Sequence, residues 1–205
     1  MVNLLRAFVP NAVLLTDPVN TNEIDPMPKK RQIFSIGNVS IEKNTDMVIS
    51  IFESLPKNLR MKRFFIGGST LWGLDLRHTE ASRLDRRLSS VCDWRANNVV
   101  RSEIPNLLGP AWGYVADSRY DSFCYAMIEA MLAGCWLFCG SHLIYDERPC
   151  IRFTTAEDAI EKIAETLSDK GMEINHEARQ YVIDNYSLQV FRRQLTDIMG
   201  RNYGL

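Results

Sequence analysis

The sequence predicts an α/β protein: a doubly wound, Rossmann-like parallel sheet with helices on both faces. Short apolar runs of strand length alternate with longer segments in which apolar residues recur every three or four positions. No internal repeat and no low-complexity tract interrupts this alternation. Strands that alternate with helices form parallel sheets, because each helix carries the chain back across one face of the sheet.

The clearest strand–helix unit lies at residues 111–134. The strand is the apolar run from Trp112 to Ala116, which Asp117 and Ser118 close. Gly134 supplies the left-handed residue that ends the helix. The sheet-facing stripe of that helix is predicted to be Phe123, Ala126, Met127, Ala130 and Met131. The loop between strand and helix then lies at the carboxyl edge of the sheet, where the first helical amides favour an anion.

The remaining elements follow from the same two periodicities. Strands are predicted at 32–36, 61–66, 136–139 and 150–153, with 90–92 and 99–100 as two further short candidates. Helices are predicted at 45–55, 79–90, from Thr155 onward, 175–185 and 187–199. Expected N-caps are Asn44 or Thr45, Thr155 and Ser187.

Composition excludes several classes of protein. A chain of 205 residues, 46% hydrophobic and 24% charged, has the composition of a globular protein with one good core. The formal net charge is −1, so charge gives no support for binding nucleic acid or acidic membranes. The basic run Lys29-Lys30-Arg31 is interpreted as a solvated surface.

The cysteines and histidines predict neither a disulfide scaffold nor a metal site. The five cysteines show no framework spacing and no C-x-x-C pair, and the three histidines are far apart. Reduced cysteines are typical of the cytosol. The N-terminal residues carry no secretory signal and no membrane span, which completes the expectation of a cytoplasmic protein.

Three short motifs in the 111–134 unit resemble a known signature. They are Asp117-Ser118, Asp121-Ser122-Phe123-Cys124 and the run Glu129-Ala130-Met131-Leu132-Ala133-Gly134. Together they resemble the donor-binding signature of retaining GT-B glycosyltransferases, most like glycosyltransferase family 4. That signature contains proline-serine, then glutamate-glycine-phenylalanine-glycine, and ends in glutamate-alanine-methionine-alanine-x-glycine. Asp121 and Glu129 keep the family's spacing of two acids, with seven residues between them.

The resemblance implies roles for these residues. In the family the first acid lies beside the donor sugar and the second bonds the ribose hydroxyls, which makes Asp121 a catalytic residue and Glu129 a ribose ligand. Ser122, Phe123 and Cys124 would form the loop around the donor phosphates. The chain departs from the pattern in having Asp121 for glutamate, and Ser122 and Cys124 for the two glycines. The segment 102–108 resembles the small helix that precedes the signature strand in the family, with Ser102 as its expected N-cap.

A second loop follows the first predicted strand, from Gly37 to Asn44. It resembles the family's glycine-arginine-x-x-x-x-lysine-glycine segment, whose two cations grip the donor pyrophosphate. Lys43 falls on the lysine position, so the resemblance implies phosphate binding and a catalytic role for it. Asn38 takes the place of the arginine. Gly37 allows the close backbone approach that a strand end at a ligand requires. The competing interpretation is a solvated Lys43 and an ordinary sheet-facing helix with a solvated Glu129.

The resemblance also implies a division of the chain. Residues 1–31 are expected to be an appendage and linker, because 8–13 resembles the strand by which GT-B chains leave their first domain. Residues 32–205 are expected to form the nucleotide-sugar-binding domain, one half of a GT-B enzyme. The acceptor-binding half would then come from a partner protein or from a homodimer mate.

The expected function is hexosyl transfer from a nucleotide-diphosphate sugar to an acceptor. GT-B sites stabilise the diphosphate leaving group with cations and helix amides and without an obligatory metal, so no cofactor is expected. The alternative is a non-catalytic Rossmann-like interaction or donor-binding module with a decayed site. The sequence contains no G-x-S-x-G motif, and Ser118 has no spaced histidine partner for a nucleophilic triad.

Overall fold

A computed structural model of the chain describes residues 17–67, 75–96, 99–119, 123–141 and 148–203. Within those ranges, six strands form one sheet in which every neighbouring pair runs parallel. The strands are β1 (Lys30–Ile36), β2 (Lys62–Gly67), β3 (Asp93–Ala96), β4 (Ala111–Ala116), β5 (Trp136–Gly140) and β6 (Ile151–Phe153). Their order across the sheet is β3-β2-β1-β4-β5-β6.

Helices cover both faces of the sheet. The helices on one face are α1 (Thr45–Ser54), α2 (Asp75–Val91) and α5 (Ala156–Lys170). The helices on the other face are α3 (Ile104–Leu108), α4 (Tyr125–Leu132) and α6 (His176–Tyr186), and α7 (Leu188–Tyr203) follows α6. The predicted doubly wound α/β fold is therefore confirmed.

Two apolar cores, one on each face, hold these layers together. Phe34, Tyr114 and Met127 belong to the core beneath α4, whereas Ile33 and Phe52 belong to the core beneath α1. Every residue of β4 is buried. A strand that is covered on both faces reads as a continuous apolar run, which is why 112–116 stood out in the sequence.

The strand order creates a crevice between β1 and β4. From β1 the chain winds outward through β2 to β3, and from β4 it winds the opposite way through β5 to β6. The loops that leave β1 and β4 therefore diverge at the carboxyl edge of the sheet. Doubly wound proteins bind their ligands at such a switch point.

The N-terminal segment (residues 17–29) packs against α4 and α6. Lys29 Nζ donates hydrogen bonds to the carbonyls of Gly109 (2.9 Å) and Ala133 (2.6 Å). Arg179 donates to the carbonyls of Ile24 (2.8 Å) and Leu132. Two cations thus bind the carbonyls where α4 ends, the position that the helix dipole favours. The interpretation of Lys29 as a solvated residue is wrong. A domain division at residue 31 stays a prediction.

Two predicted elements were misplaced. The third strand is β3, between the candidates at 90–92 and 99–100, and neither candidate forms a strand. Among the described strands, β3 pairs only with β2. A strand with a single neighbour can be short and needs few apolar residues, so its pattern in the sequence is weak. Phe123 precedes the helix in which it was expected, since α4 begins at Tyr125.

The predicted caps have mixed outcomes. Thr155 accepts a hydrogen bond from the Asp158 amide, and Ser187 Oγ accepts one from the Val190 amide. Ser102 is wrong as a cap, because it lies inside a 3₁₀ turn (Arg101–Glu103) that precedes α3. Asn44 occupies the N-cap position of α1 but makes no side-chain cap bond.

Across the described residues, no helix is long and apolar enough to cross a membrane.

Candidate functional site

A small cavity opens where β1 and β4 end, and we call it the crevice cavity. Gly37 and Lys43 line it from the loop after β1, Asp117 and Ser118 from the loop after β4, and Cys124 from the start of α4. Its floor includes the Tyr114 side chain. The structure thus brings together three predicted site residues from two separate motifs: Gly37, Lys43 and Cys124.

Gly67 allows β1 and β2 to end in very close contact, whereas Gly37 has room for a Cβ atom, so the expectation that Gly37 serves this close approach is wrong. A Cβ atom added to Gly67 would lie 1.8 Å from the carbonyl oxygen of Gly37. The Gly37 amide donates to the Ile66 carbonyl at 3.0 Å. A Cβ on Gly37 would meet the Lys43 side chain at 3.8 Å, so the aliphatic part of Lys43 lies over Gly37. This packing keeps Lys43 half-buried at the cavity instead of extended into solvent.

Hydrogen bonds join the two loops that flank the crevice cavity. Asn44 Nδ2 donates to Asp117 Oδ2 at 2.6 Å, and the Arg119 amide donates to the Glu42 carbonyl at 2.7 Å. Asn44 adopts a left-handed conformation with φ of 43°, which points its amide toward Asp117 rather than toward the first turn of α1. Lys43 is therefore placed by a fixed pair of loops. The hydrogen bond between Asn44 and Asp117 was not predicted from the sequence, because the two residues are far apart in the chain.

Tyr114 closes the bottom of the crevice cavity. Its hydroxyl donates to the Ile36 carbonyl at 3.1 Å and lies 3.3 Å from the Ile36 amide, which donates to it. The ring is fully buried, and burial raises the pKa of the hydroxyl well above its usual value. A neutral phenol thus bridges the strand ends, and the charge of the cavity comes from other groups.

The start of α4 forms one wall of the crevice cavity. Cys124 is the N-cap residue and has φ of 56°, a left-handed conformation that glycine adopts most easily. The donor-binding signature that this segment resembles carries glycine at the same position. The first amides of an α-helix have no partner within the helix and favour an anion.

Phe123 takes a supporting position beside this wall. Its ring packs edge-on against Tyr125 and Tyr186, with centroid distances of 4.7 and 5.3 Å. The buried Arg148 places its guanidinium over the rings of Phe123 (5.4 Å) and Tyr186 (5.5 Å). Phe123 is not among the residues that line the crevice cavity. Arg148 was missed in the sequence, since only the tertiary structure brings it to this aromatic cluster.

Glu129 lies in a second cavity, which we call the α4 pocket. This cavity measures about 220 Å³ and lies between the N-terminal segment and α4. Cys124 lines the crevice cavity and Tyr125, the next residue, lines the α4 pocket. The two cavities therefore flank the first turn of α4, and Glu129 follows one turn later.

The Glu129 carboxylate is buried and paired. Its side chain is 7% exposed and forms an ion pair with Arg101, whose side chain is 66% exposed. Burial raises the pKa of Glu129, whereas the hydrogen bond and charge of Arg101 lower it, and the nearby Glu23 raises it further. The interpretation of Glu129 as a solvated residue is thus contradicted. The pairing of Arg101 with Glu129 was not predicted from the sequence.

Asn38 lines neither of the two cavities. Asn38 is exposed and contributes its carbonyl to Thr45 Oγ1 at 3.4 Å. Asp121 and Ser122 lie outside the described residues. Among the residues that the structure describes, no cluster of His, Cys, Asp or Glu has the arrangement of a metal site.

The fold is a Rossmann-like α/β domain of the kind found in GT-B enzymes. Residues 19–187 match the family described as glycosyl transferases group 1. The chain belongs to this family. A direct comparison with curated protein sequences finds no match.

Several solved structures share this fold. Sucrose-phosphate synthase from Thermosynechococcus elongatus has a TM-score of 0.77 and 15% identity, with 98% of this chain and 56% of that chain covered. HepE of Anabaena, solved with UDP and glucose, has a TM-score of 0.74 and 14% identity, covering 92% of this chain and 56% of the other.

A third structure corresponds to one domain only. The C-terminal domain of a glycosyl transferase group 1 family protein from Francisella tularensis has a TM-score of 0.64 and 19% identity. The match covers 83% of this chain and 100% of that domain. The chain described here spans just over half the length of the two larger enzymes. Its fold is that of one GT-B half.

Proposed function

We propose that this chain is the donor-binding half of a retaining, family 4-like GT-B glycosyltransferase, and that it binds a uridine or guanosine diphosphate sugar. The observation that carries the proposal is the pair of cavities on either side of the first turn of α4. One cavity offers a cation and helix amides, and the other offers a buried carboxylate. A nucleoside diphosphate has the complementary groups, a diphosphate anion and a ribose diol.

The crevice cavity is proposed to hold the diphosphate. Lys43 and the first amides of α4 would stabilise the negative charge that builds on the leaving group as the glycosidic bond breaks. A bond cleaved through an oxocarbenium-like state needs such stabilisation on its leaving side. Asp121 is proposed to hold hydroxyls of the transferred hexose, and Ser122 to contribute to the phosphate loop.

The α4 pocket is proposed to hold the nucleoside. An ionised Glu129 would accept hydrogen bonds from both vicinal hydroxyls of the ribose. The apolar residues Val19, Ile24 and Ile128 line the same pocket and suit the flat surface of a sugar or base. HepE was solved with UDP, which supports a uridine nucleotide as the first ligand to test.

The acceptor-binding half is proposed to come from a partner protein or a dimer mate. The chain spans just over half of the larger solved relatives, and α7 exposes Leu188, Leu195 and Met199. An apolar face of this kind suits packing against another domain.

A second candidate is a non-catalytic module that retains the fold but has lost the site. The observation that favours it is Asn38, which is exposed and brings no second cation to the crevice cavity. Under this alternative, nucleoside diphosphates would bind weakly or not at all, and Lys43 would be only a surface residue.

Calorimetric titration with UDP, GDP and pyrophosphate tests the proposal. Glu129→Ala is expected to weaken UDP or GDP binding by about 10- to 100-fold, the loss of hydrogen bonds to a charged group. Pyrophosphate has no ribose and should bind the variant as it binds the wild type. Glu103→Ala, an exposed acid near the α4 pocket, is the matched control. Equal losses for both ligands would remove the assignment of Glu129, and wild-type protein that binds no nucleotide would favour the second candidate.

A further inference from the structure

Arg101 joins three separate parts of the chain at the α4 pocket. It begins the 3₁₀ turn before α3, pairs with Glu129 on α4, and lies 3.8 Å from a carboxylate oxygen of Glu23 in the N-terminal segment. All three residues line the pocket. One exposed cation thus lies between one buried and one exposed carboxylate.

We propose that Arg101 is a positioning residue, which holds the Glu129 carboxylate ionised and in place to receive the ribose diol. This inference rests on the proposed function and adds to it a residue that controls when the pocket accepts a nucleoside. Arg101 acts through Glu129 and makes no contact of its own with the ligand.

The geometry explains why such a cation is needed. The Glu129 side chain is 7% exposed and shares the pocket with apolar Val19, Ile24 and Ile128. A carboxylate in apolar surroundings takes up a proton unless a cation is near. Arg101 has its own side chain largely in water, so it supplies the charge with little desolvation of its own.

The other charged or titratable groups near Glu129 do not replace Arg101. Glu23 raises the pKa of Glu129, and Tyr114, beneath the helix, is a buried neutral phenol. Tyr125, one turn earlier on α4, has a pKa raised by burial and by Asp17. Loss of Arg101 should therefore raise the pKa of Glu129 further.

UDP affinity is expected to depend on the protonation state of Glu129. An ionised carboxylate accepts a hydrogen bond from each hydroxyl of a diol, whereas a protonated one must use part of that capacity as a donor. UDP affinity should therefore fall as pH drops through the pKa of Glu129. In Arg101→Gln the same fall should occur at higher pH.

The experiment is calorimetric titration of UDP and pyrophosphate across the acid range. For Arg101→Gln, UDP affinity in the acid range should be about three- to tenfold weaker than wild type, the scale of one partly exposed charged pair, with recovery at higher pH. Pyrophosphate affinity should not change. Arg101→Lys should restore most of the profile, and Arg86→Gln, an exposed arginine on α2, is the control for loss of one positive charge.

Several results would overturn the inference. They are an unchanged UDP profile, tighter UDP binding, an equal loss at every pH, or an equal loss for pyrophosphate. Tighter binding would mean that Arg101 blocks the pocket, and the two equal losses would mean direct contact with the nucleoside or the phosphates. If the wild type itself binds no nucleoside diphosphate at any pH, the proposed function fails and this role fails with it. Circular dichroism of Arg101→Gln separates these results from misfolding.

Discussion

Neighbouring residues determine where the Lys43 side chain lies. A lysine in a loop is usually solvated, but here its stem lies over Gly37 and the next residue, Asn44, is tied to Asp117. The cation is thereby held at the crevice cavity, beside the start of α4. Asn38, in contrast, lies in the same loop and is exposed.

Lys43→Ala is expected to weaken diphosphate binding by about 1.5–3 kcal/mol, the scale of a hydrogen bond to a charged group. The loss should be similar for UDP and pyrophosphate, since Lys43 is assigned to the phosphates alone. Calorimetry on the purified variant measures it. Lys57→Ala, an exposed lysine in the 3₁₀ turn before β2, should bind as the wild type does. An unchanged affinity for Lys43→Ala would show that Lys43 does not bind the phosphates.

At the scale of elements, α4 depends on both of its ends. At the start, Cys124 takes a left-handed conformation that turns the chain from the β4 loop into the helix. At the end, Gly134 has φ of 73° and Lys29 and Arg179 bind the last carbonyls. Because both cavities flank α4, these end contacts also hold the shape of the proposed site.

Gly134→Ala is expected to lower the free energy of unfolding by about 2–4 kcal/mol. Two effects add: a left-handed conformation that is unfavourable for alanine, and a Cβ placed 2.5 Å from Ile174 Cγ2. Urea denaturation measures the loss.

A double-mutant cycle separates the two effects. In an Ile174→Ala background the offending methyl group is gone, so Gly134→Ala should cost only about 1–2 kcal/mol more. Ile174→Val keeps that methyl group and serves as the matched background. The same loss in both backgrounds would show that the backbone conformation alone accounts for the effect.

At the scale of the whole molecule, the chain is proposed to supply one wall of a two-walled active site. It spans just over half of the larger solved relatives and matches a C-terminal domain over that domain's full length. In GT-B enzymes the reaction is expected in the cleft between two domains, and closure of such a cleft excludes water. The exposed apolar residues of α7 are available for contact with a second wall.

The isolated chain is expected to bind donor better than it transfers sugar. Without a second wall the bound sugar stays in contact with water, so slow hydrolysis should compete with transfer. The check is a transfer assay with a nucleotide sugar and candidate acceptors, in a sample whose oligomeric state is measured at the same time. Fast transfer by a strict monomer would contradict this prediction and would favour a complete minimal transferase.

The sequence alone was sufficient for the fold class and for most element positions. Alternation of apolar runs and periodic helices reports which faces are buried, and burial is a local pattern that the chain carries in order. The same holds for Thr155 and Ser187, whose cap bonds reach only three residues ahead. The loop within 111–134 was also expected at the carboxyl edge of the sheet, where the structure has it.

Which residues meet at the candidate site depends on the tertiary structure. Arg101 and Glu23 meet Glu129 from distant segments, Asn44 meets Asp117 across two loops, and Arg148 reaches Phe123 from beyond β5. Nothing in the local pattern around these residues reports their partners, because an ion pair between distant segments depends on chain topology and not on periodicity. The burial of Glu129 therefore depends on the packing of the N-terminal segment and of the turn before α3 against α4.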